Sequence, residues 1–225
     1  MSLPLDAVIL ENTLSFVPAR YRAGQRAKRT LDVTGALLGL LMIAPLFLLL
    51  MALIKSTDGG SIFYGHKRVG RFGREFRCFK FRTMVPNGDA VLEKYLASNP
   101  AAREEWHATR KLQKDPRVTP LGAVLRKLSL DELPQLFNIL TGEMSIVGPR
   151  PVVRDELTLY GRNAQFYLAS RPGLTGLWQI SGRNDVGYDE RVAFDRQYIE
   201  NWSFKTDLVI IAKTIPAVCL SQGSY

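Results

Sequence analysis

Cysteine and histidine are nearly missing from this 225-residue chain, with two of each. Cys78 and Cys219 are too few for a disulfide framework at this length, which fits a reducing compartment. His66 and His107, with no Cys-x-x-Cys spacing beside them, leave no zinc site to build. The chain has no internal repeat, collagenous period or low-complexity tract, and no small-residue cleavage site comes after its apolar run, so no signal peptide is expected. Acid is the scarcer charge: 21 Asp and Glu stand against 30 Lys and Arg, a formal net charge of +9. The partners are therefore anionic, namely a phospholipid surface, phosphorylated small molecules or nucleic acid, and charge alone does not choose among them.

One stretch lacks charge altogether. Val33 to Ile54 contains 22 uncharged residues, which as a straight helix would extend about 33 Å, enough to cross the hydrocarbon core of a bilayer. Arg20, Arg22, Arg26, Lys28 and Arg29 precede it, and Lys55, Lys67, Arg68, Arg71 and Arg74 come after it. A spanning helix would leave one of these basic clusters on the wrong side under the positive-inside rule. Pro45 near the middle removes a backbone hydrogen bond and favours a bend. The expectation is a bent, re-entrant helix that enters and leaves through the cytoplasmic face; the competing reading is a kinked transmembrane helix. The cations before it read as an arm drawn to anionic lipid, at roughly 1 kcal/mol each near the surface. The divisions expected are a basic arm over 1–30, the re-entrant helix over 31–55 and a cytosolic catalytic domain over 56–225.

Beyond the helix, Ser61 to Val69 and Glu75 to Met84 read as two short strands joined around Gly70 and Gly73. Apolar residues at 76 and 78 and then at 79 and 81 slip in phase, which predicts a bulge between Cys78 and Phe79. Lys80 and Arg82 then share a face, suited to phosphate contact or simply to solvent. Residues 87–113 read as helical, interrupted at Asn99-Pro100. Thr119-Pro120 is an N-cap with proline at the first helical position, and Leu121, Val124, Leu125 and Leu128 supply a buried stripe. This helix delivers Arg126 and Lys127 directly to the acid pair Asp131-Glu132.

That pair lies in the central stretch of the chain, Arg126 to Pro151. Leu130, Leu133, Phe137 and Leu140 form the apolar stripe of a helix, with Asp131, Gln135 and Asn138 on another face and Gly142 as its stop. Ser129 with Glu132 has the spacing of a capping box, and acids in a first turn complement the helix dipole, so Asp131-Glu132 has a purely structural reading too. Pro134 weakens that cap, because it would leave the Leu130 carbonyl without its amide partner. Met144 to Val147 is strand-like, and Gly148-Pro149-Arg150-Pro151 holds Arg150 between two prolines, so its guanidinium loses little freedom on binding. Arg171 to Gln179, including Gly173, Thr175, Gly176 and Trp178, forms with Ser181-Gly182-Arg183 a second stretch, glycine-rich and basic, suited to a nucleotide diphosphate; Trp178 is either a stacking surface or core. Asp207 to Leu220 is too short to span and reads as an interfacial or core helix.

A carboxylate attacks phosphorus only if its repulsion from an anionic diphosphate is neutralised, by arginines and a divalent cation. Asp131 as nucleophile, Glu132 as metal ligand and Arg126 with Arg150 as phosphate clamps fit that chemistry, with Lys80 and Arg82 as further cations. The motifs then carry a resemblance: Lys28-Arg29-x-x-Asp32, Lys80-Phe-Arg-Thr-Met84, Leu128-Ser-Leu-Asp-Glu-Leu-Pro-Gln135, Met144-Ser-Ile-Val-Gly-Pro-Arg-Pro151 and Arg171-Pro-Gly-Leu-Thr-Gly-x-Trp-Gln179 with Ser181-Gly-Arg183. Over Lys28 to Tyr198 the chain resembles the bacterial monotopic phosphoglycosyl transferases, and its short N-terminal part is similar to the rhizobial galactose- or glucose-phosphate transferases.

The resemblance implies transfer of a sugar 1-phosphate from a UDP-sugar to polyprenyl (undecaprenyl) phosphate at the inner membrane, releasing UMP and starting exopolysaccharide assembly. It further implies a covalent phosphosugar on Asp131, Mg2+ held with the help of Glu132, a place for Arg150 in the Pro-Arg-Pro motif, and a re-entrant helix. The fold class expected is α+β: the re-entrant helix, a mainly helical cytosolic domain, a short β-hairpin and interfacial amphipathic helices. One departure is Ala44-Pro45 where many relatives have Ser-Pro, since Ala44 offers no hydroxyl to a backbone group freed at the bend. Two rivals come from other classes. A membrane-tethered nucleic-acid binder would need a recognised motif, and none is present, so no nucleic acid is expected as partner; a catalytically silent export scaffold leaves the dyad and Arg150 unexplained. The sugar is not legible, and oligomeric state, a homo-oligomer included, is left open.

Overall fold

The computed structural model describes residues 17–109, 112–181 and 187–219. Helix α1 (Ala19–Asp58) starts after Pro18 and stops at Gly59, whose left-handed backbone (φ 71°) lets its N–H reach the Lys55 carbonyl. Helical conformation continues on both sides of Pro45. The segment 19–30, read as an arm, is therefore the first three turns of this helix. Several of its cations are also committed: Arg20 donates to the Glu200 carbonyl, Lys28 is buried, and Arg29 donates to the Ile139 and Leu140 carbonyls. Arg22 and Arg26 are exposed.

The body of the protein packs along α1 rather than at one end of it. Tyr21 joins a core of Val147, Tyr198, Ile199, Trp202 and Ile210. Ala36 meets Phe76, Cys78, Ile139 and Met144, while Phe47, Leu50 and Ile54 meet Phe81 and Leu125. Leu37, Leu38, Leu41, Met42, Leu48 and Leu49 stay exposed on the opposite side. A helix of this length and composition passes the test for a membrane span. Yet both of its halves are glued to one body, so a perpendicular crossing would carry strands and polar side chains into hydrocarbon, where backbone groups find no partners.

Strands β1 (Phe63–Val69) and β2 (Glu75–Phe81) form an antiparallel hairpin around a 3-10 turn at Arg71–Gly73. Pairing runs one-to-one from Phe63↔Phe81 to Val69↔Glu75, so the expected bulge at Cys78–Phe79 is not there. The phase slip has another cause: β2 is covered on both faces, Phe76 and Cys78 by Ile139 and Met144, Phe81 by Phe47 and Phe63. Helices α2 (Gly88–Ser98) and α3 (Pro100–Thr109) break at Asn99 as the sequence predicts. Helix α4 (Pro120–Lys127) is capped by Thr119, whose hydroxyl oxygen accepts from the Gly122 N–H at 2.9 Å.

The expected helix over 130–140 is divided. A 3-10 turn (Leu130–Glu132) comes first, then α5 (Gln135–Thr141), with Pro134 at its start and Gly142 (φ 85°) at its end. Strand β3 (Ser145–Val147) pairs in parallel with β4 (Gly173–Thr175), a pairing the sequence does not announce. Between them lie α6 (Arg154–Thr158) and α7 (Ala164–Ala169), and beyond β4 come α8 (Leu177–Ser181), α9 (Tyr188–Glu200) and α10 (Phe204–Cys219). Helix α10 packs by one side as a core helix: Asp207 and Ile210 are buried, while Phe204, Leu208 and Val209 are exposed.

The motif Lys28-Arg29-x-x-Asp32 explains how α1 grips β3. Lys28 Nζ donates to the Val147 carbonyl at 2.8 Å and to Asp207 Oδ2 at 2.9 Å. Asp32 Oδ1 accepts from Ser145 Oγ and from the Ile146 N–H, each at 2.9 Å. Tyr198 and Trp202 complete the Asp207 carboxylate at 2.6 and 3.1 Å. Buried charges persist only with such partners.

Candidate active site

The dyad is aimed by a backbone that its own residues would not choose freely. Ser129 adopts a left-handed conformation (φ 55°, ψ 19°) and its side chain makes no capping bond, so the capping-box reading fails. A non-glycine residue there costs about 1–3 kcal/mol. Packing of Leu125, Leu130 and Leu133 into the cluster around Phe81 and Ile54 offsets it. The result is a sharp turn from α4 into the 3-10 segment that points Asp131 at β2.

Lys80 on β2 meets both acids, 2.6 Å from Glu132 Oε1 and 3.4 Å from Asp131 Oδ2. Burial pushes the Asp131 carboxyl above the usual carboxylate range; Lys80 works against this, Glu132 adds to it and Arg126 makes a smaller opposing contribution. At Lys80 burial favours the neutral amine, but Glu132 and Asp131 outweigh it and hold the ammonium more tightly protonated. The pair is therefore a carboxylate whose burial favours protonation, opposed by an adjacent fixed cation. Arg126, in the last turn of α4, is held by its Nε donating to Thr83 Oγ1 at 2.9 Å. Arg126 and Lys127 also wall an open groove of about 740 Å³ that runs past Tyr95, Lys114 and Thr119.

Two residues without an assigned role from the sequence hold the site's cations in place. Asn138, fully buried on α5, accepts from the Phe79 N–H at 2.9 Å and donates to the Arg77 carbonyl at 2.8 Å. Its amide thus serves the open edge of β2 as a neighbouring strand would, and so fixes the strand that carries Lys80. Thr83 fixes Arg126. The only sequence signal for Asn138 was its place on the polar face with Asp131.

The other expected site residues go elsewhere. Arg82 pairs with Asp58 at the end of α1. Arg171 Nε donates to the Gly142 carbonyl at 2.8 Å and so stops α5. Gly173 and Gly176 do allow close backbone approach, but to Gly148 of this chain: a Cβ on them would lie 2.2 Å from the Gly148 nitrogen and oxygen respectively. Gln179 borders Gly176, and the Thr175 hydroxyl meets that of Thr214 at 2.7 Å. Arg183 lies outside the described residues. Arg150 lies over the Trp178 ring at 5.6 Å, in a cavity that neither Asp131 nor Glu132 lines.

For a divalent cation the donor set is adequate but small. Among the described residues no cluster of three or more His, Cys, Asp or Glu exists. Mg2+ asks for one or two carboxylates, with phosphate and water completing its shell, and Glu132 beside Asp131 supplies that.

Comparison with known proteins adds the family. The model of the bacterial sugar transferases matches residues 23–221. The chain belongs to the bacterial sugar transferase family. The exopolysaccharide production protein ExoY of Sinorhizobium fredii is 65% identical over 217 residues, covering 95% of this chain and 96% of that protein. ExoY of Rhizobium meliloti is 69% identical over 202 residues, 90% of this chain and 89% of the other. The undecaprenyl-phosphate galactose phosphotransferase of Salmonella typhimurium is 50% identical over 204 residues, 91% of this chain but 43% of its own length. The resemblance read from the motifs is thus borne out as a bacterial sugar transferase of the rhizobial type. Within this sugar transferase the matched span contains every side chain of the Lys80–Asp131–Glu132–Arg126 cluster.

Proposed function

We propose that this chain transfers a hexose 1-phosphate, galactose or glucose, from a UDP-sugar to polyprenyl (undecaprenyl) phosphate, releasing UMP. The observation that carries the reading is a buried carboxylate, Asp131, kept in contact with an ammonium group and next to a second carboxylate and an arginine. That is the equipment for a nucleophile facing an anionic substrate. The Salmonella relative named for this type of reaction supports it.

In the first half-reaction an Asp131 carboxylate oxygen attacks the sugar-bearing phosphorus. The bond from that phosphorus to the bridging oxygen breaks, and its electron pair leaves with UMP. In the second, a phosphate oxygen of the lipid attacks the same phosphorus and the carboxylate departs unchanged. Lys80 opposes protonation of Asp131 before attack and offsets the negative charge of the transferring group. Arg126 holds the donor phosphates from the groove side. Glu132 would hold Mg2+, which when bound neutralises the diphosphate.

The lipid acceptor requires the dyad to sit at a bilayer surface. Val124, Leu128 and Phe137 around the dyad are exposed and apolar, and Phe137 packs edge-on against Phe47 of α1 at 5.7 Å. Together with the bare side of α1 they make one apolar face. We place it in the cytoplasmic leaflet of the inner membrane, with α1 entering and leaving on that side.

The test is UMP release by purified protein supplied with Mg2+, polyprenyl phosphate and a panel of UDP-sugars. One donor giving UMP, with none from Asp131→Asn, is the expected result. No UMP from any donor would overturn the reading in favour of a silent scaffold.

A further inference from the structure

Arg150 does not work alone. Its cavity, about 120 Å³, is lined also by Glu156, Tyr160, Trp178, Arg191 and Asp195. Two guanidinium groups share one indole: Arg150 lies 5.6 Å and Arg191 5.0 Å from the Trp178 ring centre. Neither has a carboxylate within ion-pair distance among the described residues. Asp195 feels the Arg150 charge only at a distance, so two like charges share one ring with no close ion pair to hold either guanidinium.

The acids in the cavity are already engaged. Asp195, 3% exposed, accepts from the Tyr160 hydroxyl at 2.8 Å and from the Arg150 backbone N–H. Glu156 is 3.7 Å from Arg68 and accepts from the Val153 N–H at 3.3 Å. The donors are the opposite case. Trp178 Nε1, on a side chain 7% exposed, and Arg191 Nε are buried and have no hydrogen-bond partner. Buried donors left unpaired cost about 1–3 kcal/mol each, so a native structure explains them by a ligand or water.

We infer that the cavity bounded by Arg150, Arg191 and Trp178 is an oxyanion subsite, separate from the Asp131 dyad and sized for one phosphate group. Its two unpartnered donors want acceptors, and a phosphate is rich in them. Guanidinium forks match its oxygens in pairs. Size sets the limit: a whole nucleotide sugar calls for roughly 300 Å³ or more, whereas this space holds about four water volumes. The phosphate has two sources, a phosphate carried by the nucleotide or free inorganic phosphate. The assignment stands on the cavity and not on the transfer reaction.

The experiment is calorimetric titration of the full chain in detergent with inorganic phosphate, UMP and uridine, for wild type, Arg191→Gln and Trp178→Phe. Phosphate or UMP is expected to bind saturably and uridine at least tenfold more weakly. Arg191→Gln should weaken the phosphate-dependent affinity at least tenfold; Trp178→Phe, which keeps a ring and removes the N–H, should weaken it by a smaller factor. A raised KM for the UDP-sugar in Arg191→Gln assigns the site to the nucleotide's phosphate. An unchanged KM with lost phosphate binding assigns it to free phosphate. Affinities for phosphate and UMP that neither substitution alters, in proteins with native circular dichroism, overturn the inference, as does uridine binding as tightly as UMP. Because binding is read without turnover, an inactive preparation does not confuse this result with failure of the catalytic reading.

Discussion

Lys28 and Asp207 stand 179 positions apart in the chain and meet at 2.9 Å, with both side chains shut from solvent. Removing one partner strands the other as a bare charge beside Tyr198 and Trp202. Lys28→Met should cost about 3–5 kcal/mol of stability, read as a lowered unfolding midpoint in detergent. The double variant Lys28→Met with Asp207→Asn should lose less than the two single losses added, because the pair is coupled.

Lys80 sets the proton affinity of the nucleophile. Burial already raises the Asp131 pKa, and Lys80 is the main force opposing it. In Lys80→Met that opposition is gone and the pKa rises further. The acid limb of kcat/KM against pH should therefore move to higher pH, with activity recovering as pH increases. A limb in its wild-type place would show that Asp131 is not the titrating group.

Asp195 makes a second pH prediction, on stability. Burial lifts its carboxyl from 3.8 to about 7. The folded state then holds a proton that the unfolded chain gives up at lower pH. Its contribution to stability is complete below about pH 4 and is lost as pH rises through about 7. Asp195→Asn cannot ionise, so the stability of wild type relative to this variant should fall between pH 4 and pH 8, by up to about 4 kcal/mol. Equilibrium unfolding at several pH values measures it; parallel curves would rule the shift out.

The packing of both halves of α1 on one body predicts its topology. Arg22 is exposed near the helix start. A cysteine placed there, Arg22→Cys, should resist an impermeant thiol reagent in intact spheroplasts and react once the membrane is opened. Reaction in intact spheroplasts would mean that the helix crosses.

Much of this site could be read directly. The Thr119-Pro120 cap, the hairpin, the Gly142 stop and the acid pair rest on rules confined to a few neighbouring residues, and the structure has all four. Lys80 was legible as a cation on a strand, but its choice of Asp131 over Asp58 was not, because a strand's partner is decided by what packs on it. Arg82, two residues along and just past the end of β2, goes to Asp58 instead. The pairing of β3 with β4 was hidden for the same reason: Gly173–Thr175 looks like a loop until Gly148 is beside it. Asn138 reads as a surface residue on a polar helix face, and only the open edge of β2 gives it a role. The apparent bulge came from assuming one buried face on a strand that has two.

The Lys28–Asp207 contact also orders events in time. At about 5–20 residues per second, the ribosome delivers Asp207 roughly 10–35 s after Lys28. Through that interval α1 is already made, apolar on one side and still without the body that will cover the other, and Lys28 stays hydrated. Only when α10 arrives can Asp207 take Lys28 out of water and close the core that Tyr21, Tyr198 and Trp202 share.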